Sequence, residues 1–335
     1  MRNPFRVSIW AMAFCGTLAT PAAAQDAAEF FRGKTVSYIV ATGPGGGYDT
    51  YGRLLTQFMA KYMPDTRFII RNVPGAGQII GANTIYVARP DGLTFGTFNT
   101  GLIYSQILEL EGVRFDLGEM SWIGKMAEEG RSLVISGHTG IANVQDLMEA
   151  DGPILIASAG IGSASYIETR ILAEVLGLNV RIIPGIFGPD TEMSMMRQEI
   201  AGVLGAASSH DEYVHRGAGK FIVSVAGARS VIEGVPQARE FVTDPQHLRL
   251  LSLVETLAEL GRLTAGPPGI PEDRLAYLRQ AYLRAVNDPD LLTQAEALNI
   301  PIMAADGAWV AAKIIEALDQ PPEIVADLRA AAQGE

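Results

Sequence analysis

"KTVSYIVATGPGGGYDTYGRLLTQFMAKY", residues 34–62, changes period halfway along, and that change decides the fold class. Residues 34–42 are a β-branched and aromatic run that reads as a strand. After the glycines, Tyr51, Leu54, Leu55, Phe58, Met59 and Tyr62 fall at i, i+3, i+4, i+7, i+8 and i+11, the stripe of an amphipathic helix. Gly43, Gly45, Gly46 and Gly47 lie between the two, and Asp49 stands where an N-cap is expected. A strand, a glycine loop and a helix N-terminus bring bare backbone N–H groups and the helix dipole to one point, which suits an anion. A plain tight turn would also use glycines. Nucleotide motifs are absent: the sixth position from Gly43 is Tyr48, which breaks G-x-G-x-x-G, and the Gly118–Lys125 stretch lacks the P-loop spacing.

The unit recurs. "ILIASAGIGSASYIETRIL" is again strand, Gly/Ser loop and helix, with Ser165 and Glu168 spaced as a capping box. "IIPGIFGPDTEMSMM" is a third, with Asp190 at a helix start. Strands are also expected at "TRFIIRNV", "LTFGTFNT", "RSLVIS", "IAGVLGA" and "KFIVSVAG", and helices at "GQIIGANTIYVA" and "PEDRLAYLRQAYLRAVND". Such alternation implies an α/β chain with largely parallel sheets. Loops at the carboxyl ends of their strands are where open α/β sheets bind ligands.

The first residues bear on the compartment. Arg2 and Arg6 precede an apolar run from Val7 to about Leu18, then Ala22 and Ala24 in an A-x-A pattern, so a secretory signal peptide over 1–24 is expected, cut after Ala24. The run is too short to span a bilayer. Cys15, the only cysteine, falls inside it, which removes disulfides and thiol chemistry from the mature chain. Net charge goes from −11 to −13 with loss of the two arginines, so nucleic acid is a poor partner. His138, His210, His215 and His247 show no metal-ligand spacing and read as surface residues. "IGSAS" lacks the second glycine of a hydrolase elbow.

The order of motifs then becomes specific. Gly45, Gly46, Gly47, Asp49 and Arg53 are followed by Asn72, Pro74, Gly75, Ala76 and Gly77 as N-x-PGAG, then Pro90, Asp91 and Gly92 as a P-D-G turn, then "GIGSAS". This run resembles the tripartite tricarboxylate transporter receptor family, the Bug solute-binding proteins, over nearly the whole mature chain. Many members carry Tyr-Lys-Gly after the proline of the domain-two strand; here Gly185, Ile186 and Phe187 follow Pro184, and Phe187 fills part of that region.

The resemblance implies an α/β periplasmic binding protein, type II-like, with two domains joined by a two-stranded hinge around a cleft. Domain 1 is expected over 25–124 plus 251–335 and domain 2 over 125–250, with hinge strands in "GEMSWIGKMAEEG" and "TDPQHLRLLSLVE". The chain would be a monomeric periplasmic receptor and not an enzyme. It would need no cofactor, and it would deliver a small organic carboxylate to membrane permease subunits. Gly45, Gly46, Gly47 and Tyr48 would give one carboxylate N–H donors, with Asn99 and Thr100 adding side-chain donors. Ser158, Gly162, Ser163 and Ala164 would face them from the other lobe, Phe187 and Asp190 would line the third loop, and Ser208 would follow a nearby strand. Such donors need no buried arginine. An exported serine hydrolase using Ser163 or Ser208 is the alternative.

Overall fold

The computed structural model describes residues 21–128, 130–225 and 232–333. The expected signal peptide lies outside them up to residue 20. Three segments build two sheets. The first runs α1 (Pro21–Phe31), β1 (Thr35–Val40), α2 (Gly47–Tyr62), β2 (Arg67–Asn72), α3 (Ile79–Tyr86), β3 (Thr94–Phe98), α4 (Gly101–Ile107) and β4 (Ser121–Ala127). The second runs β5 (Arg131–Ser136), α5 (Val144–Met148), β6 (Ile154–Ser158), α6 (Ala164–Leu176), β7 (Val180–Pro184), α7 (Pro189–Met196), β8 (Gly202–Ala206), α8 (Asp211–His215) and β9 (Gly219–Val225). The third returns through α9 (Pro245–Ala258), β10 (Gly261–Gly266), α10 (Glu272–Val286), α11 (Pro289–Ala297), β11 (Ala305–Asp306), α12 (Gly307–Leu318) and α13 (Pro322–Gln333).

One sheet has the order β11-β4-β10-β3-β1-β2, the other β7-β6-β8-β5-β9. The pairs β1–β2, β1–β3, β6–β7 and β6–β8 are parallel, as alternation with helices requires. The others are antiparallel, so the sheets are mixed rather than largely parallel. The difference arises at the crossings. β4 and β5 leave one sheet for the other, and β10 returns between β3 and β4, so these strands meet their neighbours head to tail.

The second crossing also differs from expectation. Residues 245–258 are the helix α9, not a strand, because Asp244 accepts the N–H groups of Gln246 and His247 and Pro245 occupies the first turn. The crossing strand is β10. The Lys125 ammonium holds the crossings together, 3.0 Å from Glu128 Oε1 and 2.6 Å from the Glu259 carbonyl.

Burial follows the periods read in the sequence. Tyr51, Leu54, Leu55, Phe58 and Met59 of α2 are buried against Tyr38, Phe95, Leu278 and Tyr282. A larger core joins Ile39, Phe98 and Trp122 to Leu133, Ile156, Ile171 and Leu253, so α4, α6, α9 and α12 fill the space between the sheets. α13 packs on α6 and α9.

The junction of α2 and α11 gives an acid-stability prediction. Asp288, 1% exposed, caps α11 and receives the Tyr62 hydroxyl at 2.5 Å and the Lys61 ammonium at 2.7 Å. The Lys61 bond, then the Tyr62 bond, hold its carboxyl at about 2 against the effect of burial. A depressed folded pKa gives stability that is complete above the unfolded value of about 4 and lost as pH falls towards 2. Asp288→Asn should therefore melt lower at pH 7 and show a shallower decline in melting temperature between pH 4 and 2. Equal acid slopes in the two proteins would count against this tie.

Candidate functional site

A cavity of about 650 Å³ opens where loops from both sheets meet. They leave the carboxyl ends of β1, β3, β6, β7 and β8, the positions at which α/β sheets present ligand loops. Its first wall is the 42–48 loop with Gln78, Asn99 and Arg262; its second is formed by 163–165, 186–192, Ser209, His210 and Arg131.

The first loop owes its shape to Asp49. Gly46, not Asp49, is the N-cap of α2. Asp49 lies within the first turn and is buried, and its carboxylate accepts the Gly45 N–H at 3.0 Å, Arg53 Nε at 2.8 Å and the Asn72 amide at 2.9 Å. Burial pushes this carboxyl up, but the bonds from Arg53, Gly45 and Asn72 outweigh it and its pKa is lowered. Asn72 also donates to the Thr42 carbonyl, so the asparagine and acid of the motif brace the loop from behind. Gly45 needs its positive φ of 82°. The first N–H groups of an α-helix lie outside its own hydrogen-bond ladder, and the start of α2 stands at the cavity.

On the facing wall Ser163 is the N-cap of α6, accepting the Tyr166 N–H at 3.2 Å and donating to the Gly160 carbonyl at 2.7 Å. The Ser165–Glu168 capping box does not form. Ser165 accepts the Ala159 N–H, and Glu168 is buried against Arg131. Burial pushes the Glu168 carboxyl up, opposed by the Arg131 guanidinium.

Of the residues singled out in the sequence, the cavity gathers Gly45, Gly46, Gly47, Tyr48, Asn99, Ser163, Ala164, Phe187 and Asp190. Thr100 precedes α4 and is buried, Ser158 is buried at the end of β6, and the Gly162 carbonyl accepts Ser105 Oγ at 3.1 Å. None of these three lines the cavity. Ser208 faces a separate cavity of about 550 Å³, with Asp211 and Asn299.

Sequence reasoning missed Arg131 and Arg262, the two arginines of the cavity lining. Arg262, 3% exposed, lies with its guanidinium 4.1 Å from the Tyr48 ring centre and 4.7 Å from that of Tyr51, and Nη2 stands 3.4 Å from Ser209 Oγ. Aromatic faces favour a planar cation held out of water. A buried arginine therefore belongs to the cleft wall, contrary to the expectation of backbone and hydroxyl donors alone. Arg262 sits in β10, a strand with no period-3.6 or Gly/Ser signal to flag it. His210 is also not a surface residue: it is buried, lines the cavity, and has Nδ1 3.6 Å from Glu192 Oε1.

The two walls touch. A β-carbon on Gly43 would lie 3.2 Å from the Phe187 ring, one on Gly46 3.6 Å from Gly188 Cα, and one on Gly47 2.8 Å from Arg262 Nη2 and 3.1 Å from Ser209 Oγ. Phe187 thus closes over the glycine loop. The enclosure combines the N-termini of α2, α6 and α7 and two guanidiniums with the carboxylates of Asp190 and Glu192 on one side. That arrangement can hold an anionic group.

Comparison with known proteins agrees with this architecture. The model of a family described as tripartite tricarboxylate transporter family receptor matches residues 52–306. A UPF0065 protein of Bordetella pertussis is 24% identical over 289 residues, 82% of this chain and 83% of the relative. Among solved structures, the periplasmic binding protein BugD superposes with a TM-score of 0.75 at 19% identity, over 89% of this chain and 97% of its own. MatC of Rhodopseudomonas palustris, with bound malate, gives 0.71 at 21% identity, over 89% and 99%. Rpa4515 of R. palustris, with adipate, gives 0.70 at 14%, over 88% and 97%. These likenesses establish the two-lobed fold.

Proposed function

Because the chain belongs to the tripartite tricarboxylate transporter receptor family, we propose that it captures a small organic carboxylate between its lobes and delivers it to the membrane permease subunits of such a transporter. The observation that carries this reading is the enclosed cavity with the N-termini of α2 and α6 on opposite walls and Arg262 and Arg131 beside them. Helix N-termini and guanidiniums both favour a carboxylate over a neutral solute. The malate and adipate of MatC and Rpa4515 support the same ligand class.

The receptor acts as a single copy and performs no chemistry on its ligand. The Ser163 hydroxyl, a possible nucleophile from sequence, is engaged with Gly160, Tyr166 and Ser165. The lobes are taken as 25–124 plus 251–335 and 125–250, supported by the membership of β1–β3 in one sheet and β5–β9 in the other. Ligand binding holds the loops together and shifts an open–closed equilibrium. The protein is exported and cut after Ala24, and no helix among the described residues is long and apolar enough to cross a membrane.

A thermal-shift screen of mono-, di- and tricarboxylates tests the ligand class. A carboxylate at about 100 times its dissociation constant should stabilise the protein by about 2.7 kcal/mol. No shift with any acid, alongside a shift with neutral sugars or amines, would overturn the reading.

A further inference from the structure

Glu168, spaced from Ser165 as a capping box, turns into the interior instead. Its side chain is 1% exposed and accepts the Arg131 Nε–H at 2.5 Å. Arg131 is the first residue of β5, directly after the first crossing, and its side chain, 12% exposed, reaches the cavity. Ala164 lines the same cavity from the start of α6, and Glu168 follows four residues on, one turn deeper on that face. Glu168 itself is not part of the lining. The guanidinium thus stands between the cavity and the carboxylate.

A lone guanidinium in a wall that excludes water is costly, and a carboxylate behind it offsets that cost. The same carboxylate acts on whatever enters the cleft, because charges separated by protein rather than water feel one another strongly. The surroundings are dry. The Tyr104 hydroxyl, on α4, is fully buried with no hydrogen-bond partner, and burial, joined by the Glu168 charge, pushes it well above its usual range. An anion at Arg131 therefore meets the attraction of the guanidinium and the repulsion of the carboxylate behind it. The short-range hydrogen bond survives this opposition, while the longer-range attraction is largely cancelled.

We infer that Glu168 is a positioning residue of the cleft: it holds Arg131 at the wall of the empty receptor, and its charge keeps a bound carboxylate releasable. This role rests on the carboxylate reading above and goes beyond it, since Glu168 acts through Arg131 without touching the ligand. A receptor that hands on its cargo needs both properties. The Arg131 hydrogen bond selects an anion, and the counter-charge limits how tightly that anion is kept.

The test is calorimetric titration and stopped-flow displacement with acetate, succinate, adipate, citrate and benzoate, on the wild type, Glu168→Gln and Glu168→Asp. Glutamine keeps the volume and an acceptor for Arg131 Nε, and removes the charge. Empty Glu168→Gln should melt lower than the wild type, because a buried cation loses its counter-ion. It should nevertheless bind the probes at least about fivefold more tightly, mostly through slower dissociation, and gain more in melting temperature from them. Glu168→Asp keeps the charge and should bind no more tightly than the wild type. Loss of a structural contact alone would lower the melting temperature of both variants and tighten neither. Purification with the tightest probe present serves if empty Glu168→Gln does not stay folded, and displacement then reads the dissociation rate. Unchanged or weaker binding in Glu168→Gln, with a probe bound by the wild type, would overturn this role and leave the carboxylate reading standing. A Glu168→Gln protein that fails to fold even with the probe present would do the same, since Glu168 would then serve the fold alone. Equal tightening in Glu168→Asp would also overturn it, because charge would not be the cause. Binding of no probe by any of the three proteins would remove the carboxylate reading and this role with it.

Discussion

Gly46→Val should leave a folded protein that no longer binds a carboxylate. At φ −88° and ψ 172° the backbone of Gly46 is extended, which valine adopts without strain. Its β-carbon would meet Gly188 Cα at an ordinary 3.6 Å. The two γ-carbons would then occupy the gap between the glycine loop and the Gly185–Gly188 loop. They would cover the N–H groups at the start of α2 and wedge the lobes apart. We expect affinity to fall beyond about a hundredfold, since both the charged hydrogen bonds and the closure are lost together. Ser163→Ala provides the contrast. Its hydroxyl already serves the Gly160 carbonyl and the Tyr166 N–H, so the change costs a helix cap, about 1 kcal/mol of stability, and weakens binding by less than about tenfold. Titration and melting curves of both variants check the pair. If Gly46→Val binds like the wild type, the glycines form only a turn.

Arg262→Met should raise the dissociation constant by about ten- to 150-fold, the worth of a hydrogen bond to a charged group. The guanidinium reaches across from β10 to Ser209 on the other wall and is clamped over Tyr48 and Tyr51. Methionine keeps much of the volume and removes the charge. Arg262→Lys keeps the charge without the planar fork, and should fall between methionine and the wild type. Weakening of wild-type binding by added salt, absent in Arg262→Met, would place the cation on the ligand. An affinity within twofold of the wild type in Arg262→Met would assign Arg262 to bracing the tyrosines alone.

Much of this molecule is legible from periodicity. The strand–loop–helix units at β1–α2, β6–α6 and β7–α7 stand where residues 34–62, 154–172 and 182–196 place them, because each depends on local alternation and on the i, i+3, i+4 stripe. Caps are less legible. Asp49 and Ser165 both fit the N-cap pattern, yet the chain enters α2 at Gly46 and α6 at Ser163, because glycine and serine a few residues earlier satisfy the turn first. α9 hid behind its leucines, and the Asp244–Pro245 pair was the signal that could have found it. The antiparallel crossings had no local signature at all. Arg262 and Gln78 escaped for the same reason. Both reach the cleft through partners far along the chain: Arg262 through Ser209, and the Gln78 loop through Ser163.

The cleft should bind a carboxylate as an anion and release it intact. The most direct measurement is a calorimetric titration of the mature protein with the carboxylate selected by thermal shift and, in parallel, with its methyl ester. Saturable one-to-one binding of the acid is expected, with at least about tenfold weaker binding of the ester because the charge-assisted hydrogen bonds are lost, and with unchanged ligand recovered afterwards. Equal affinity for acid and ester, or recovery of the ester as free acid and methanol, would contradict it.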